Sequence, residues 1–330
     1  MFVTALMDVE DLVAPESDDI ARKCAEILSE EGVAATLCVV GEKARLLRQR
    51  GRDDVIDALR RHDIGLHTDF HSVPPTIAAA MAVRDWEDGI TEAMRSEGPG
   101  AAAIESVFGS VPSCWGGPGN TWGPQVCAAI RTLGIPAFVY AHTQVPGGGV
   151  HRFAGCLAYP NGPSVSDTNY QEDATAEQDR ERLADRLKTA AAAGSAWQQV
   201  FLGHPTRILH EEFWDAPNFL GGANPPRSAW RPARQKSPAD LQRALDNFRR
   251  AARMLRSLPG IEMRTIRQMN AHFEGAAGST LTAEQQAEVW PGIERNLADM
   301  KGWPILPPDF DAANILNLTR ARLNTLEQFA

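Results

Sequence analysis

Three regularities in the sequence predict an α/β protein built as a distorted (β/α) barrel of about seven parallel strands. Short apolar, β-branched runs alternate with amphipathic helical stretches through residues 1–270. Histidines and carboxylates recur at or just past the carboxyl ends of those runs, where α/β folds gather their chemistry. The first run is not followed by a Gly-x-Gly-x-x-Gly fingerprint, which argues against an open sheet that binds a dinucleotide.

Taken in order, Phe2 to Met7 reads as a buried strand that runs into Asp8-Val9-Glu10-Asp11. Pro15-Glu16-Ser17-Asp18-Asp19 is a helix start, with acidic residues facing the positive end of the dipole, and Ile20, Cys24, Ile27 and Leu28 continue an apolar stripe. Val33 to Val40, closed by Gly41, is the second strand, and residues 42–60 return in helical pattern through Val55, Ile56 and Leu59. Ile64-Gly65-Leu66 is the third strand and delivers His67 and His71. Val73-Pro74-Pro75 breaks the chain, and residues 86–108 are helical with Gly98-Pro99-Gly100 as an interruption. Val111 to Cys114 leads into a loop rich in glycine and tryptophan that begins Trp115-Gly116-Gly117-Pro118-Gly119.

The alternation continues with a helix over 122–133, a strand from Ala137 to Tyr140 ending near His142, and a glycine-rich crossover through 146–149. The pattern assigns nothing to 150–173. A helix over 174–193, a strand from Gln198 to Leu202 tipped with His204, an amphipathic helix over 238–257 and a strand from Ile261 to Ile266 complete the barrel. Residues 271–330 read as a helical C-terminal extension packed on it, closing one side or serving a subunit contact in a homo-oligomer. No internal repeat is visible.

Composition narrows the functional classes. A formal charge of −9 is spread along the 330 residues, with none of the clustered Lys and Arg that nucleic acid or an anionic membrane would require. The five cysteines (Cys24, Cys38, Cys114, Cys127 and Cys156) include no Cys-x-x-Cys and are odd in number, so reduced thiols are expected rather than a disulfide framework or zinc ribbon. Met1 to Met7 lacks a basic leader and no run approaches a membrane span, so the expectation is a cytosolic protein.

The stretch from His67 to His71 sets two imidazoles four positions apart at the end of a strand. Three carboxylates lie within four residues at the end of the first strand, a grouping that is costly to bury without a cation. Asp8 and Glu10 project to one face of an extended chain, while Asp11 sits across or beyond the bend. One carboxylate with two neutral imidazoles makes a facial N,N,O set that leaves positions open for water and substrate. A second, non-ligating carboxylate can accept a proton from the nucleophile, and His204, on a different strand, can protonate a leaving nitrogen. The Trp115, Gly116 and Gly117 loop lets backbone approach a substrate while an aromatic face supplies a wall.

These residues carry a resemblance. Asp-x-Glu-Asp after the first strand, His-Thr-x-x-His after the third, Trp-Gly-Gly-Pro-Gly after the next and Leu202-Gly203-His204-Pro205 near the end resemble the successive motifs of the polysaccharide deacetylase family, over residues 1–270. The resemblance implies a metal-dependent hydrolase with a distorted (β/α) barrel. It implies Asp8 as general base, His204 as general acid, and His67 and His71 as metal ligands with Glu10 or Asp11 as the third. Strand geometry leans to Glu10, while the family's frequent Asp-Asp pair keeps Asp11 open. Thr68 would orient the metal pair, and backbone amides from Trp115 to Gly119 would line an oxyanion site.

Departures from the family bear on substrate. Where its third motif has an arginine paired with the catalytic aspartate, this chain offers Trp115, so the tuning of Asp8 must come from elsewhere. The tryptophan-bearing fourth motif is not recognisable, and Tyr140, His142 and Asp167 are the candidates for that side of the site. Residues 205–236 are a polar and aromatic excursion that could lid it. The expectation is hydrolysis of a non-peptide C–N bond, with removal of an N-acetyl group from an amino sugar or related small acyl-amide, free or in an oligosaccharide. Zinc is the expected metal, with cobalt, manganese or nickel as alternatives. The rival readings are a cyclic amide or ureide hydrolase of allantoinase type, and a carbohydrate-binding relative without turnover.

Overall fold

The computed structural model describes residues 1–141, 143, 149–166 and 170–329. Its strands are β1 (Phe2–Val9), β2 (Ala35–Val39), β3 (Asp63–Leu66), β4 (Trp115–Gly116), β5 (Ala137–Ala141), β6 (His151–Phe153), β7 (Cys156–Pro160), β8 (Trp197–Phe201), β9 (Glu262–Met263), β10 (Ser279–Thr280) and β11 (Glu327–Gln328). Hydrogen bonds order them β10-β11-β6-β7-β5-β4-β3-β2-β1-β8, with β9 also on β1. The run from β7 through β5, β4, β3, β2 and β1 to β8 is parallel throughout. β2 and β3 are buried along their whole length, as strands covered on both faces must be, which is why they read as continuous apolar runs. The chain just past β7 makes an isolated parallel bridge to β8, Ser164 to Phe201, and so draws the two ends of the parallel run together.

Helices α1 (Glu16–Glu30), α2 (Gly41–Gln49), α3 (Asp53–Arg60), α4 (Ile77–Ala82), α5 (Trp86–Phe108) and α6 (Pro124–Thr132) return the chain in the first half. Helices α7 (Asp173–Ala192), α8 (Pro205–Leu209), α9 (Ala216–Phe219), α10 (Pro238–Ser257) and α11 (Ile266–Phe273) do so in the second, and α12 (Ala283–Lys301) and α13 (Ala313–Ala321) follow. The register matters most for function. Val9 lies opposite Val39, and Val39 opposite Leu66, so β1, β2 and β3 end flush and the residues after them emerge at one level.

Several expectations need correction. Gly98-Pro99-Gly100 does not interrupt α5, which runs through it with Pro99 exposed. Gly100 is there because α2 and α5 touch, and a Cβ on Gly41 would lie 2.5 Å from its Cα. The unassigned stretch after residue 150 holds the antiparallel β6–β7 hairpin, so β5 is followed by a strand pair in place of a helix. The final strand shrinks to β9, because Thr265 and Gln268 form a reciprocal capping box that starts α11 at Ile266. The C-terminal stretch is not wholly helical, since β11 pairs with β6 and extends the sheet. No helix among the described residues is long and apolar enough to cross a membrane.

Candidate active site

At the end of β1 the chain turns sharply at Asp11, whose φ is +76°. Its carboxylate folds back to accept bonds from the amides of Val13 and Ala14, both at 2.9 Å, and from His210 Nε2 at 3.0 Å, while Lys43 Nζ donates to its carbonyl at 3.0 Å. Burial alone would raise the Asp11 carboxyl, but the His210 bond, Lys43 and the two amides outweigh it and hold it below the ordinary carboxylate value. Asp11 is therefore a pin for the turn, with both carboxylate oxygens taken up by Val13, Ala14 and His210. Glu10, one residue earlier, points to His67 and His71.

The His67–His71 loop is built the same way. Thr68 and His71 both have positive φ, +57° and +55°, and the Thr68 hydroxyl accepts the His71 amide at 2.9 Å. Held there, Glu10 Oε2 lies 2.5 Å from His71 Nε2 and 3.7 Å from His67 Nε2. One ligand atom from each of Glu10, His67 and His71 falls within 4.8 Å of the others, and all three residues are buried. The donor set suits a divalent cation on chemical grounds as well. His67 Nδ1 is 3.0 Å from the carbonyl of Gly116, an acceptor only, so Nδ1 carries the proton and Nε2 keeps a bare lone pair. His71 Nδ1 is 2.8 Å from Ser72 Oγ, which in turn bonds Asp215, so its Nε2 is likewise left for a ligand role. Burial pushes both imidazoles down, His71 to about 4, so both are neutral near neutral pH.

Asp8 sits beside this group, with Oδ2 3.6 Å from His67 Nε2 and 3.7 Å from His204 Nε2. Its Oδ1 accepts from the Tyr140 hydroxyl at 2.7 Å. Tyr140 also has positive φ, +61°, at an irregularity where β5 leaves its register with β7, and this backbone turn is what aims the phenol at Asp8. The His204 ring lies between Phe201 and Phe213, edge-on to each at 5.0 Å.

Two hollows meet at His204 and Gly119. One, about 400 Å³, has Glu10, His71 and His204 on one side and Phe213, Leu220 and Trp303 on the other. The second, about 320 Å³, runs from Asp8 and Tyr140 down to Gln199. A larger hollow of about 610 Å³ opens behind the 68–75 loop and shares only Thr68 and His71 with the site.

No protein-family model matches the sequence, and no match among curated proteins is found. Among solved structures, the chain is similar to one described as a polysaccharide deacetylase from Mycobacterium smegmatis, at 15% identity over 85% of this chain and 93% of that one, with a TM-score of 0.53. Another so described, from Pseudomonas aeruginosa, gives 12% identity over 83% and 90%, with a TM-score of 0.50. The fold is that of the polysaccharide deacetylases. The chain is also similar to part of a 4-α-glucanotransferase from Thermococcus litoralis, at 12% identity over 82% of this chain and 40% of that one, with a TM-score of 0.53. Reaction type must therefore be argued from the side chains.

Within the deacetylase fold, some expected site residues lie elsewhere. Trp115 does not wall the site: it is buried in the core, and its Nε1 donates to Glu97 at 2.8 Å. Gly116 acts through its carbonyl on His67, and Gly117 lines the smaller hollow. His142 and Asp167 fall outside the described residues. On Asp8, where an arginine partner is absent, the Tyr140 hydroxyl donates to Oδ1. Sequence reasoning missed Ser72 and the closing wall of Trp303, Pro304 and Ile305, residues with no local motif to mark them. It noted Asp215 only as part of the 205–236 excursion.

Proposed function

We propose that the protein is a metal-dependent hydrolase of a non-peptide C–N bond that removes the acetyl group from an N-acetyl amino sugar or a related small acyl-amide. The observation that carries this reading is the convergence of Glu10, His67 and His71 within 4.8 Å, with Asp8 and His204 beside them at the same mouth. Glu10, His67 and His71 would hold a divalent cation, zinc in this reading with cobalt, manganese or nickel as alternatives, and that cation supplies Lewis acidity toward the amide carbonyl.

The chain's own residues do the rest. Asp8, with Oδ1 tied to Tyr140, presents Oδ2 as the base that takes a proton from attacking water. His204 Nε2 gives a proton to the departing nitrogen, which an amide requires because an amine anion leaves very poorly. Phe201 and Phe213 fix the ring that does so. The five cysteines are free and buried, in keeping with action in a reducing, cytosolic compartment.

The test is acetate release across N-acetyl sugars, free and nucleotide-linked, with and without chelator, alongside the metal content of the purified protein. Acetate that disappears on chelation is the expected result. A protein without stoichiometric metal that opens cyclic ureides would replace this reading with the allantoinase-type one, and ligand binding with no turnover would replace it with a carbohydrate-binding one.

A further inference from the structure

The smaller hollow has a feature that the hydrolytic chemistry does not use. Gln199, in the middle of β8, is 1% exposed, lines the hollow that also holds Asp8, Tyr140 and His204, and among the described residues neither atom of its carboxamide has a hydrogen-bond partner. Buried amides are nearly always paired, because one left unpaired keeps the full cost of its desolvation. Its neighbours account for the placement. Trp197, two residues before it on β8, donates its indole to Thr4 at 3.0 Å. Gly162 crosses so close to the Gln199 backbone that a Cβ would meet its carbonyl at 1.9 Å. Gln199 thus lines the hollow while its amide has nothing of the described protein to bond.

We infer that Gln199 is a substrate-recognition residue whose amide pairs with two adjacent hydroxyls of a sugar ring, its carbonyl accepting from one and its NH₂ donating to the other. This deepens the hydrolase reading and rests on it for setting the scissile amide at Asp8 and His204. The hollow's roughly ten water volumes, at about 30 Å³ each, suit one monosaccharide unit. A carboxamide is the side chain that offers a donor and an acceptor side by side, as neighbouring hydroxyls require. The substrate class is therefore an amino sugar engaged as a single terminal or free unit.

The experiment compares N-acetylglucosamine with N-cyclohexylacetamide, which keeps the ring and the acetamide but has no hydroxyls. Binding to the zinc-loaded Asp8→Asn protein is measured by calorimetry, and acetate release by the otherwise native zinc-loaded enzyme. The sugar should bind at least about tenfold tighter than its analogue, and Gln199→Leu should erase that preference by weakening the sugar alone. In turnover this is a raised KM for the sugar with kcat kept, and the unfolding midpoint should not fall, since an unpaired buried amide is removed. Gln199→Met, which preserves side-chain length, repeats the comparison should the leucine variant not fold.

A preference that survives both substitutions, equal weakening of both probes, or Asp8→Asn protein with Gln199 intact that binds neither would overturn the inference. So would Gln199-dependent binding of hydantoin without that of the sugar, which would assign the amide to a ureide. Gln199-dependent sugar binding with no acetate released from either probe would overturn the hydrolase reading and leave the recognition role standing. Acetate released alike from both probes, with or without Gln199, would do the reverse.

Discussion

On one side of the mouth, Glu10, His67 and His71 project from the flush ends of β1 and β3, each within a few residues of its strand. On the other, Phe213 and Leu220 come from one stretch and Trp303 from another far along the chain, and the surface they present is apolar. The first side is fixed by backbone conformations that side chains rarely adopt, at Asp11, Thr68 and His71, each costing on the order of 1–3 kcal/mol and each locked by local hydrogen bonds. The second has a positive φ only at glycines such as Gly221, and is held by burial instead. Ile305 inserts among Leu12, Val40, Trp214 and Phe219, Gly221 donates to the Pro304 carbonyl at 2.7 Å, and the Trp303 indole lies where a Cβ on Gly119 would be, 2.5 Å from it. Chemistry here is built by short-range geometry, and access to it by long-range packing.

The largest expected effect breaks the first side while sparing the second. His67→Ala removes a proposed ligand and should lower metal affinity by at least about 100-fold, with loss of turnover, while near-UV signals from Trp214 and Trp303 persist. Asp8→Asn should keep stoichiometric metal and lower turnover by about 10²- to 10⁴-fold. Metal analysis of the two variants side by side separates a ligand from a base. An Asp8→Asn enzyme of native activity would remove Asp8 from the chemistry.

A smaller effect should follow from the opposite change. Trp303 is half-buried and stands edge-on to His71, ring centres 6.3 Å apart. Trp303→Ala should raise KM by about tenfold, the value of one aromatic contact, with kcat and bound metal close to native. A parallel loss of metal would show the two sides to be one cooperative unit.

That contrast also governs how much was legible in the sequence. Strand ends and the residues just past them follow from alternation and spacing, so Asp8, His67, His71 and His204, with Glu10 or Asp11, could be read as one set before any coordinates. The choice between Glu10 and Asp11 could not be closed, because it turns on a left-handed backbone step at Asp11 that Lys43 and His210, distant in sequence, hold together with the nearby Val13 and Ala14 amides. Trp115 misled for a related reason. Its glycine-rich surroundings read as a loop against a substrate, yet its partner is Glu97 on α5, invisible to a local pattern. Gln199 lies in a strand, next to Gln198 and opposite Thr4, and nothing in its spacing says that its amide is unpaired. The β6–β7 hairpin was lost because a three-residue strand has too little periodicity to register.

The smallest effect on turnover, and the one that probes the footing of the ligating side, concerns Glu97. It is buried beneath the His67–His71 loop, accepts the Trp115 indole at 2.8 Å, and burial raises its carboxyl from 4.5 to about 8. A folded-state pKa above the unfolded value means that the native protein holds this proton more tightly. The stabilisation is then complete below about pH 4.5 and is lost as pH rises through about 8. Glu97→Gln keeps an acceptor for Trp115 and cannot ionise, so it should flatten that decline and be more stable than the native protein near pH 8, by on the order of 1–3 kcal/mol. Denaturant titrations at a series of pH values measure it. Parallel pH profiles for the two proteins would mean that Glu97 is already ionised in the fold, and that Trp115 is anchored to a charge and not to a neutral acid.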